Sequence, residues 1–258
     1  MLILLPPSEG KAAPRRGARL RPESWPVGLA EPRHQVIDAL QRLCLGDPDA
    51  AARTLGVGPT QLDEVRRNAR LWELPTAPAE RIYTGVVYDA LGLGSLDTTA
   101  HRRALGRLAI VSSVYGLVRP GERIAPYRLG GSVTLPGLGG VAAHWRAVLD
   151  PVVRELAGRG LVVDLRSSTY AGFWRPAADQ AGRVVTVRVL HEVNGRRQVV
   201  SHFNKATKGR LVRALLEDGR DARSPAAFAS LLVELGWQVE PGAPTATGTP
   251  LDVVVSEL

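Results

Sequence analysis

Two apolar runs of similar design constrain the fold of this chain most strongly. Residues 108–117 (LAIVSSVYGL) and 160–174 (GLVVDLRSSTYAGFW) each begin as a buried strand and then become polar. Residues 142–158, between them, have the apolar spacing of a helix. Strand, helix, strand in this order predicts a parallel or mixed sheet whose polar strand ends share one edge. We therefore expect a mixed α/β fold with candidate site residues at that edge.

Weaker signals place other elements along the rest of the chain. They are, in chain order, a strand at 2–5, a helix at 33–45, a hairpin pairing 184–192 with 198–203 around Asn194–Gly195, a helix from 204 onward, and a helix at 225–235 followed by one or two edge strands. No internal repeat, low-complexity tract or linker interrupts the chain. We therefore predict one domain over residues 1–258.

Residues 48–73 predict two helices joined by a glycine turn. Asp47 or Asp49 is a suitable N-cap for the first helix, Gly56 and Gly58 flank the turn, and Thr60 is a suitable cap for the second helix. This order is typical of a helix-hairpin-helix, whose backbone amides can meet DNA phosphates. Glycine-broken helix pairs are also common in proteins that bind nothing. Both interpretations stay open.

The charge balance indicates an anionic partner without proving one. The chain has 33 Lys and Arg residues against 25 Asp and Glu residues, a formal charge of +8, which is typical of proteins that bind nucleic acid or another polyanion. Only Lys11, Lys205 and Lys208 are lysines. An arginine-rich composition from a GC-rich genome explains the same excess, so charge alone does not decide.

Composition and missing motifs exclude several classes of site. A single cysteine, Cys44, allows neither an internal disulfide nor a Cys-based zinc cluster. The five histidines are scattered, and the common nucleotide, dinucleotide, zinc-protease and serine-hydrolase motifs are absent. We expect no metal and no cofactor. The opening apolar run is too short for a signal peptide and no segment is long enough to span a bilayer, so we expect a cytoplasmic protein without a membrane partner.

Three polar clusters are candidates for an anion site. Arginine forks and tyrosine hydroxyls form the first cluster, which comprises Tyr115, Arg119, Arg123, Tyr127 and Arg128. A carboxylate and several hydroxyls at a strand end form the second, which comprises Asp164, Arg166, Ser167, Ser168, Thr169 and Tyr170. Two of the three lysines lie in the third, residues 202–210, which includes Lys205, Lys208 and Arg210.

Each cluster also has a structural interpretation. The tyrosines of the first cluster can be packing residues beside solvated arginines, and Ser167 or Ser168 can simply cap a short helix. The third cluster can be a solvated basic helix. The residues alone leave these alternatives open.

The order of these motifs resembles the YaaA family of peroxide stress proteins along nearly the whole chain. The matching segments are the opening strand with Lys11 after it, YTGVVYDAL from Tyr83, YGLVRP from Tyr115, PYRL from Pro126, VVDLRSSTY ending at Tyr170, and HFNKATKGRLVR with Lys208, Gly209 and Arg210. The resemblance implies a single α/β domain with a helix-hairpin-helix-like element and a positively charged cleft. It also implies DNA binding and a role in limiting oxidative damage.

Two functions follow as hypotheses. A DNA-binding stress protein would contact DNA, without sequence preference, through Lys11, Gly56, Gly58, Tyr83, Arg119, Arg123, Tyr127, Arg128, Lys205, Lys208 and Arg210. An enzyme acting on a nucleotide or phosphorylated small molecule in the same cleft would draw its catalytic groups from Lys11, Tyr115, Asp164, Ser167 and Tyr170. Direct iron coordination has little support because no His and carboxylate cluster is visible in the sequence.

Overall fold

Three parallel strands form the centre of the fold in the computed structural model, which describes residues 1–193, 196–198 and 201–255. β1 (Leu2–Leu5) lies between β3 (Leu108–Ser112) and β8 (Val162–Asp164) and is parallel to both. Every residue of these strands is buried, as expected for parallel strands covered on both faces. The carboxyl ends of all three strands therefore lie at one edge of the sheet, which confirms the prediction from the sequence.

The sheet extends on both sides of this centre. β9 (Val184–Val193) is parallel to β8, and β12 (Thr249–Val255) is parallel to β9. β11 (Gln238–Pro241) and β4 (Gly116–Val118) are the antiparallel strands at the two ends of the order β11-β12-β9-β8-β1-β3-β4. β10 (Arg196–Gln198) pairs with β9 outside that order. The predicted mixed α/β class is confirmed.

The C-terminal strands correct one expectation. β12 was expected at an edge of the sheet, but it lies between β9 and β11. Leu251, Val253 and Val254 of β12 are buried, and a strand this apolar gains more from pairing on both sides than from facing solvent. Only β11 of the two C-terminal strands lies at the edge.

The predicted antiparallel pairing of the hairpin is confirmed, because β10 pairs with β9, but the second strand is Arg196–Gln198 and not 198–203. β9 matches the prediction, and the Asn194–Gly195 turn lies outside the described residues. The predicted second strand ends early because α11 (Ser201–Asp218) begins where that strand was expected. The Phe203 ring lies 5.5 Å from the ring of His191 on β9. Helix α11 therefore packs this partly buried aromatic side chain against β9.

The first long helix is bonded to the antiparallel edge of the sheet. α1 (Val27–Leu45) begins before the predicted residue 33, because Leu29 is already buried in the core. Arg33 of α1 is completely buried. Its guanidinium donates to the carbonyls of Tyr115 (2.9 Å) and Leu117 (2.8 Å) and pairs with Glu122. A buried charge needs such partners, so Arg33 fixes α1 against the turn around β4.

Two short helices flank the glycine turn. Asp47 caps α2 (Pro48–Leu55), and its carboxylate accepts from the amides of Asp49 and Ala50. Gly56 follows in the left-handed conformation, which glycine adopts without strain. Thr60 does not cap the second helix, because Pro59–Gln61 forms a 3-10 turn and α3 (Leu62–Asn68) begins after it.

The remaining elements surround the sheet, and the helix predicted at 142–158 is divided in two. In chain order they are β2 (Ala77–Pro78), α4 (Ala79–Ile82), α5 (Val86–Leu91), α6 (Thr98–Arg107), β5 (Arg123–Ile124), β6 (Thr134–Leu135), β7 (Gly139–Gly140), α7 (Val141–Arg146), α8 (Leu149–Ala157), α9 (Ser168–Ala171), α10 (Ala178–Ala181) and α12 (Pro225–Glu234). None of the helices in the described ranges is long and apolar enough to cross a bilayer.

Helix α11 approaches α5 at a glycine. A Cβ atom added to Gly209 would lie 2.3 Å from the carbonyl oxygen of Val87 and 2.8 Å from the Cβ of Ala90. No real Cβ tolerates a backbone atom at that distance, so only glycine fits here. This contact brings the lysines of α11 toward the carboxyl edge of the sheet.

Gly209→Ala should therefore lower the free energy of unfolding by about 1–3 kcal/mol, the usual cost of overpacking. Gly106→Ala on α6 is the matched control, because nothing lies within 4 Å of its added Cβ. Alanine's better helix propensity, at most about 1 kcal/mol, should make that control neutral or slightly stabilising. Urea unfolding of both variants measures the difference. Equal stability of the two variants would contradict the close approach of α11 to α5.

Candidate functional site

A lysine lies in the loop that follows the first strand. After β1 ends, Lys11 forms an isolated antiparallel bridge with Tyr83. Its Nζ donates to the main-chain carbonyl of Ser8 at 2.8 Å and more weakly to that of Glu9 at 3.4 Å. The same Nζ lies 4.1 Å from the centroid of the Tyr127 ring and 5.6 Å from that of Tyr83. Two aromatic rings and two carbonyls thus surround the amine.

The environment of Lys11 disfavours its positive charge. Burial, and after it the nearby guanidinium of Arg128, lowers the pKa of the Lys11 amine to about 7. The carboxylates of Glu64 and Glu9 act in the opposite direction but are weaker influences. An ordinary lysine has a pKa near 10.5. In a large fraction of the molecules Lys11 is therefore a neutral amine at neutral pH, and the neutral amine is the nucleophilic form.

A chain of hydroxyl groups lies behind the lysine. The Tyr83 Oη is hydrogen-bonded to the Tyr127 Oη at 3.1 Å, and the Tyr127 Oη to the Ser112 Oγ at 2.8 Å. Ser112 is the last residue of β3, and its Oγ accepts from the amide of Tyr115. Burial raises the pKa of both Tyr83 and Tyr127 far above neutrality. The tyrosines are therefore neutral phenols that fix the ring faces against Lys11.

Arg128 connects the lysine to the glycine-linked helices. The side chain of Asn68, the last residue of α3, donates to the Arg128 carbonyl at 2.7 Å and accepts from the Arg128 amide at 3.0 Å. The Arg128 guanidinium lies 3.6 Å from the Glu9 carboxylate. Glu64 and Arg67 on α3 pair with each other at 2.8 Å. These contacts hold α3 beside the lysine.

Tyr170 completes the rim of this site. Its Oη lies 3.5 Å from the Ser113 Oγ, which is a weak hydrogen bond at best. The loop at Gly131 passes so close that an added Cβ would lie 2.9 Å from the Tyr170 ring. The phenol is half-buried, and burial raises its pKa. We call the group of Glu9, Lys11, Tyr83, Tyr127, Arg128 and Tyr170 the Lys11 site.

Other residues of the first polar cluster bond to the main chain. The Tyr115 Oη donates to the carbonyl of Ala125 at 3.1 Å in the core. Arg119 donates to the carbonyls of Leu105 and Gly106, and Arg123 to the carbonyl and hydroxyl of Thr76. These guanidinium groups have structural partners already. Their roles as anion ligands, and that of Tyr115 in catalysis, stay predictions.

The second cluster contains a buried ion pair. Arg166 donates to both carboxylate oxygens of Asp164, at 2.8 and 2.7 Å, and both side chains are buried. Arg166 also donates to the carbonyls of Tyr170 and Trp174. Ser167 occupies the N-cap position of α9, but its side chain makes no capping bond. The Asp164 carboxylate is therefore paired with Arg166 inside the protein. A catalytic role for Asp164 or Ser167 stays a prediction.

The basic cluster on α11 is divided between core and solvent. Lys208 is buried, donates to the Leu165 carbonyl at 2.9 Å, and has its pKa lowered by burial. Lys205 and Arg210 are exposed. Only these two have charges free to meet a partner without rearrangement of the core.

The glycine turn has one weakly held amide. The amides of Gly56 and Val57 donate to carbonyls of α2, while the Gly58 amide donates to the side-chain oxygen of Gln61 at 3.3 Å. Because Gln61 is exposed, the oxygen of an incoming ligand can replace its side-chain oxygen at a small cost in free energy.

Within the described residues, no three His, Cys, Asp or Glu side chains gather in a metal-binding arrangement.

Several contributors to the Lys11 site were not predicted from the sequence. The sequence predicts an amphipathic helix around Asn68 and Glu64 but does not distinguish these two residues from its other polar positions. Nothing in the sequence separates Arg67 from the other arginines of the chain. For Ser112, the sequence showed only that a polar residue ends the apolar run of β3. Contacts made across 60 residues of chain, such as Asn68 to Arg128, leave no mark in local patterns.

Asp164→Asn should lower the free energy of unfolding by about 3–5 kcal/mol, because it leaves the buried Arg166 charge without its counter-ion. Asp179→Asn is the control, since its pair with Arg154 lies on the surface and surface pairs contribute little. The two variants are compared by urea denaturation at neutral pH. An Asp164→Asn protein as stable as the control would contradict the structural role of this ion pair.

Comparison with known proteins identifies relatives along the full chain. The family model described as "Peroxide stress protein YaaA" matches residues 1–241. A relative from Streptomyces coelicolor, UPF0246 protein SCO2297, is 49% identical and covers 100% of both chains. UPF0246 protein CE1889 from Corynebacterium efficiens is 40% identical over 93% of this chain and 95% of its own. A UPF0246 protein from Cereibacter sphaeroides is 32% identical over 84% and 87%. The chain therefore belongs to the YaaA family of peroxide stress proteins.

Proposed function

We propose that this protein binds DNA through its phosphate backbone, as part of protection against peroxide. The observation that carries the proposal is the pair of hydrogen bonds between Asn68 and Arg128. They fix α3 and the preceding glycine turn beside Lys11. The glycine turn with its two short helices, and the Lys11 and Arg128 side chains, are thereby presented together rather than on separate faces.

The arginines around the glycine turn are available to phosphates. Four of them pair with neighbouring carboxylates on the helices, at 3.9, 2.7, 2.8 and 3.0 Å; they are Arg53, Arg66, Arg67 and Arg70. All but the Arg67 pair are well exposed. Exposed pairs contribute about 0–1 kcal/mol each, so exchange of a carboxylate for a DNA phosphate costs little.

The Lys11 site adds a second point of contact. The Arg128 guanidinium is loosely paired with Glu9, whose side chain is 89% exposed and free to swing away. The Gly58 amide can exchange the Gln61 side chain for a phosphate oxygen. Contacts of these kinds carry no base information, so binding should be independent of sequence and sensitive to salt.

An enzyme acting on a nucleotide or phosphorylated small molecule is the second candidate. It is favoured by the neutral amine of Lys11 and by a cavity of about 380 Å³ beside Tyr83, lined also by Arg81, Thr84 and Tyr88. A cavity of this size suits a small ligand better than a duplex. Thermal stabilisation by a nucleotide, together with feeble binding of duplex DNA, would favour this alternative.

A salt titration tests the DNA-binding proposal. Arg66→Gln and Arg128→Gln should each reduce the slope of log affinity against log salt by about 1, because each removes one phosphate contact. Arg188→Gln on β9 is the matched control, since it removes the same charge from an exposed pair with Asp252. Fluorescence anisotropy with a labelled duplex gives the slopes. Equal slopes for all three variants would place DNA elsewhere, and no measurable duplex binding would reject the proposal.

A further inference from the structure

We propose that Lys11 forms a covalent imine with the aldehyde of an abasic deoxyribose in DNA. The inference rests on the proposed DNA binding and adds a chemical step to it. Lys11 is the residue that carries it, because its amine is desolvated, lies beside an arginine, and bonds to main-chain carbonyls rather than to a carboxylate. These are the conditions that make lysine a nucleophile toward carbonyl groups.

The hydrogen bonds of Lys11 leave its lone pair available. A neutral amine has two N–H groups and one lone pair. The carbonyl oxygens of Ser8 and Glu9 can accept both N–H groups, and the electron-rich face of Tyr127 lies 4.1 Å away. Because oxygen and ring faces both repel a lone pair, it is directed away from all three. Glu9 and Gly10 are exposed, so the amine lies directly below a surface loop.

The charged groups around Lys11 nearly balance one another. The groups that face it are Glu9 on its own loop, Glu64 and Arg67 on α3, Arg128 after β5, and the neutral phenols of Tyr83 and Tyr127. Two carboxylates raise the pKa of Lys11 and two guanidinium groups lower it. Desolvation is the largest influence, so the pKa near 7 follows from the burial of the amine more than from any one neighbour.

The position of α3 places the lysine within reach of a DNA strand. From Gly58 at the turn to Glu64 beside Lys11, six residues span roughly 10 Å along the helix axis. A strand whose phosphate meets the turn would therefore bring a neighbouring sugar near the amine. An abasic nucleotide has no base to unstack or unpair, so its rotation out of the duplex is the least costly case of such a movement. This favours abasic sites over intact nucleotides.

The covalent step balances without a cofactor. The lone pair of Nζ attacks C1′ of the ring-opened sugar, and the electron pair of the C=O bond moves to oxygen. One proton passes from nitrogen to that oxygen and one comes from solvent. The C–O bond then breaks, water leaves, and the nitrogen lone pair forms the C=N bond of a protonated imine. Hydrolysis reverses the sequence, whereas hydride from borohydride adds to the imine carbon and makes the bond permanent.

Reductive trapping tests the proposal directly. The full-length protein is mixed with a labelled duplex carrying one aldehydic abasic site, reduced with cyanoborohydride, and resolved on a denaturing gel. At pH 7 the neutral fraction of Lys11 exceeds that of an ordinary lysine by roughly a thousandfold. We expect one adduct, mapped by peptide mass spectrometry to Lys11, and its loss in Lys11→Arg, which keeps a long basic side chain but has no nucleophilic amine.

Two controls separate this inference from the proposed function. Arg188→Gln on β9 changes a surface pair, keeps all three lysines, and should trap as the wild type does. A duplex with a tetrahydrofuran abasic analogue lacks the aldehyde and reports binding alone. Binding of that duplex without any adduct on the aldehydic one would overturn the inference and leave DNA binding intact. Failure to bind either duplex would reject both. Adducts spread over Lys205 and Lys208 would also overturn it.

The pH dependence gives a further readout. The trapping rate depends on the neutral amine, so it should rise as pH increases through about 7 and level off above it. Folding of Lys11→Arg is checked by its melting temperature and by its affinity for the tetrahydrofuran duplex. A trapping rate that continues to rise toward pH 10 would indicate reaction at ordinary surface lysines and contradict the role of Lys11.

Discussion

Parallel pairing of the first strand with two later strands is the constraint on which the site depends. Because β1, β3 and β8 run in the same direction, the loop with Lys11, the serines at the end of β3 and the turn at Arg166 all lie at one edge of the sheet. The apolar strands supply the driving force, since each is buried on both faces. Polar residues that are distant in sequence are then neighbours without any need for a long loop.

The structure separates arginines that stabilise the fold from those that remain available. Arg33 and Arg166 are buried, and their donors are used by carbonyls and carboxylates of the core. Arg119 and Arg123 also bond to main-chain oxygens. The excess positive charge is therefore an imperfect guide to ligand binding, because part of it stabilises loops. Arg128 differs, since Asn68 holds its backbone while its guanidinium is loosely paired with the exposed Glu9 carboxylate.

Much of the fold was predictable, and most of the site was not. Continuous apolar runs identified β1, β3 and β8, since buried parallel strands need no alternation. The Asn194–Gly195 hairpin signal in the sequence identified β9. The start of α11 and the interior place of β12 depended on tertiary packing of Phe203 and Leu251, which no local pattern contains. Arg119 and Arg128 lie in equivalent proline-rich signatures, and only their neighbours in space distinguish them. Lys11 was identified as a candidate, but its low pKa follows from contacts with distant residues.

Titration of the lysine side chains by NMR measures the desolvation of Lys11 directly. The chain contains three lysines, so a protein labelled with ¹³C at the lysine side chains gives a spectrum that Lys11→Arg assigns at once. We expect the Lys11 Cε resonance to titrate with a pKa of about 7. A Lys11 resonance that titrates near 10.5, the ordinary value for lysine, would show a charged ammonium at neutral pH and contradict the account of this site.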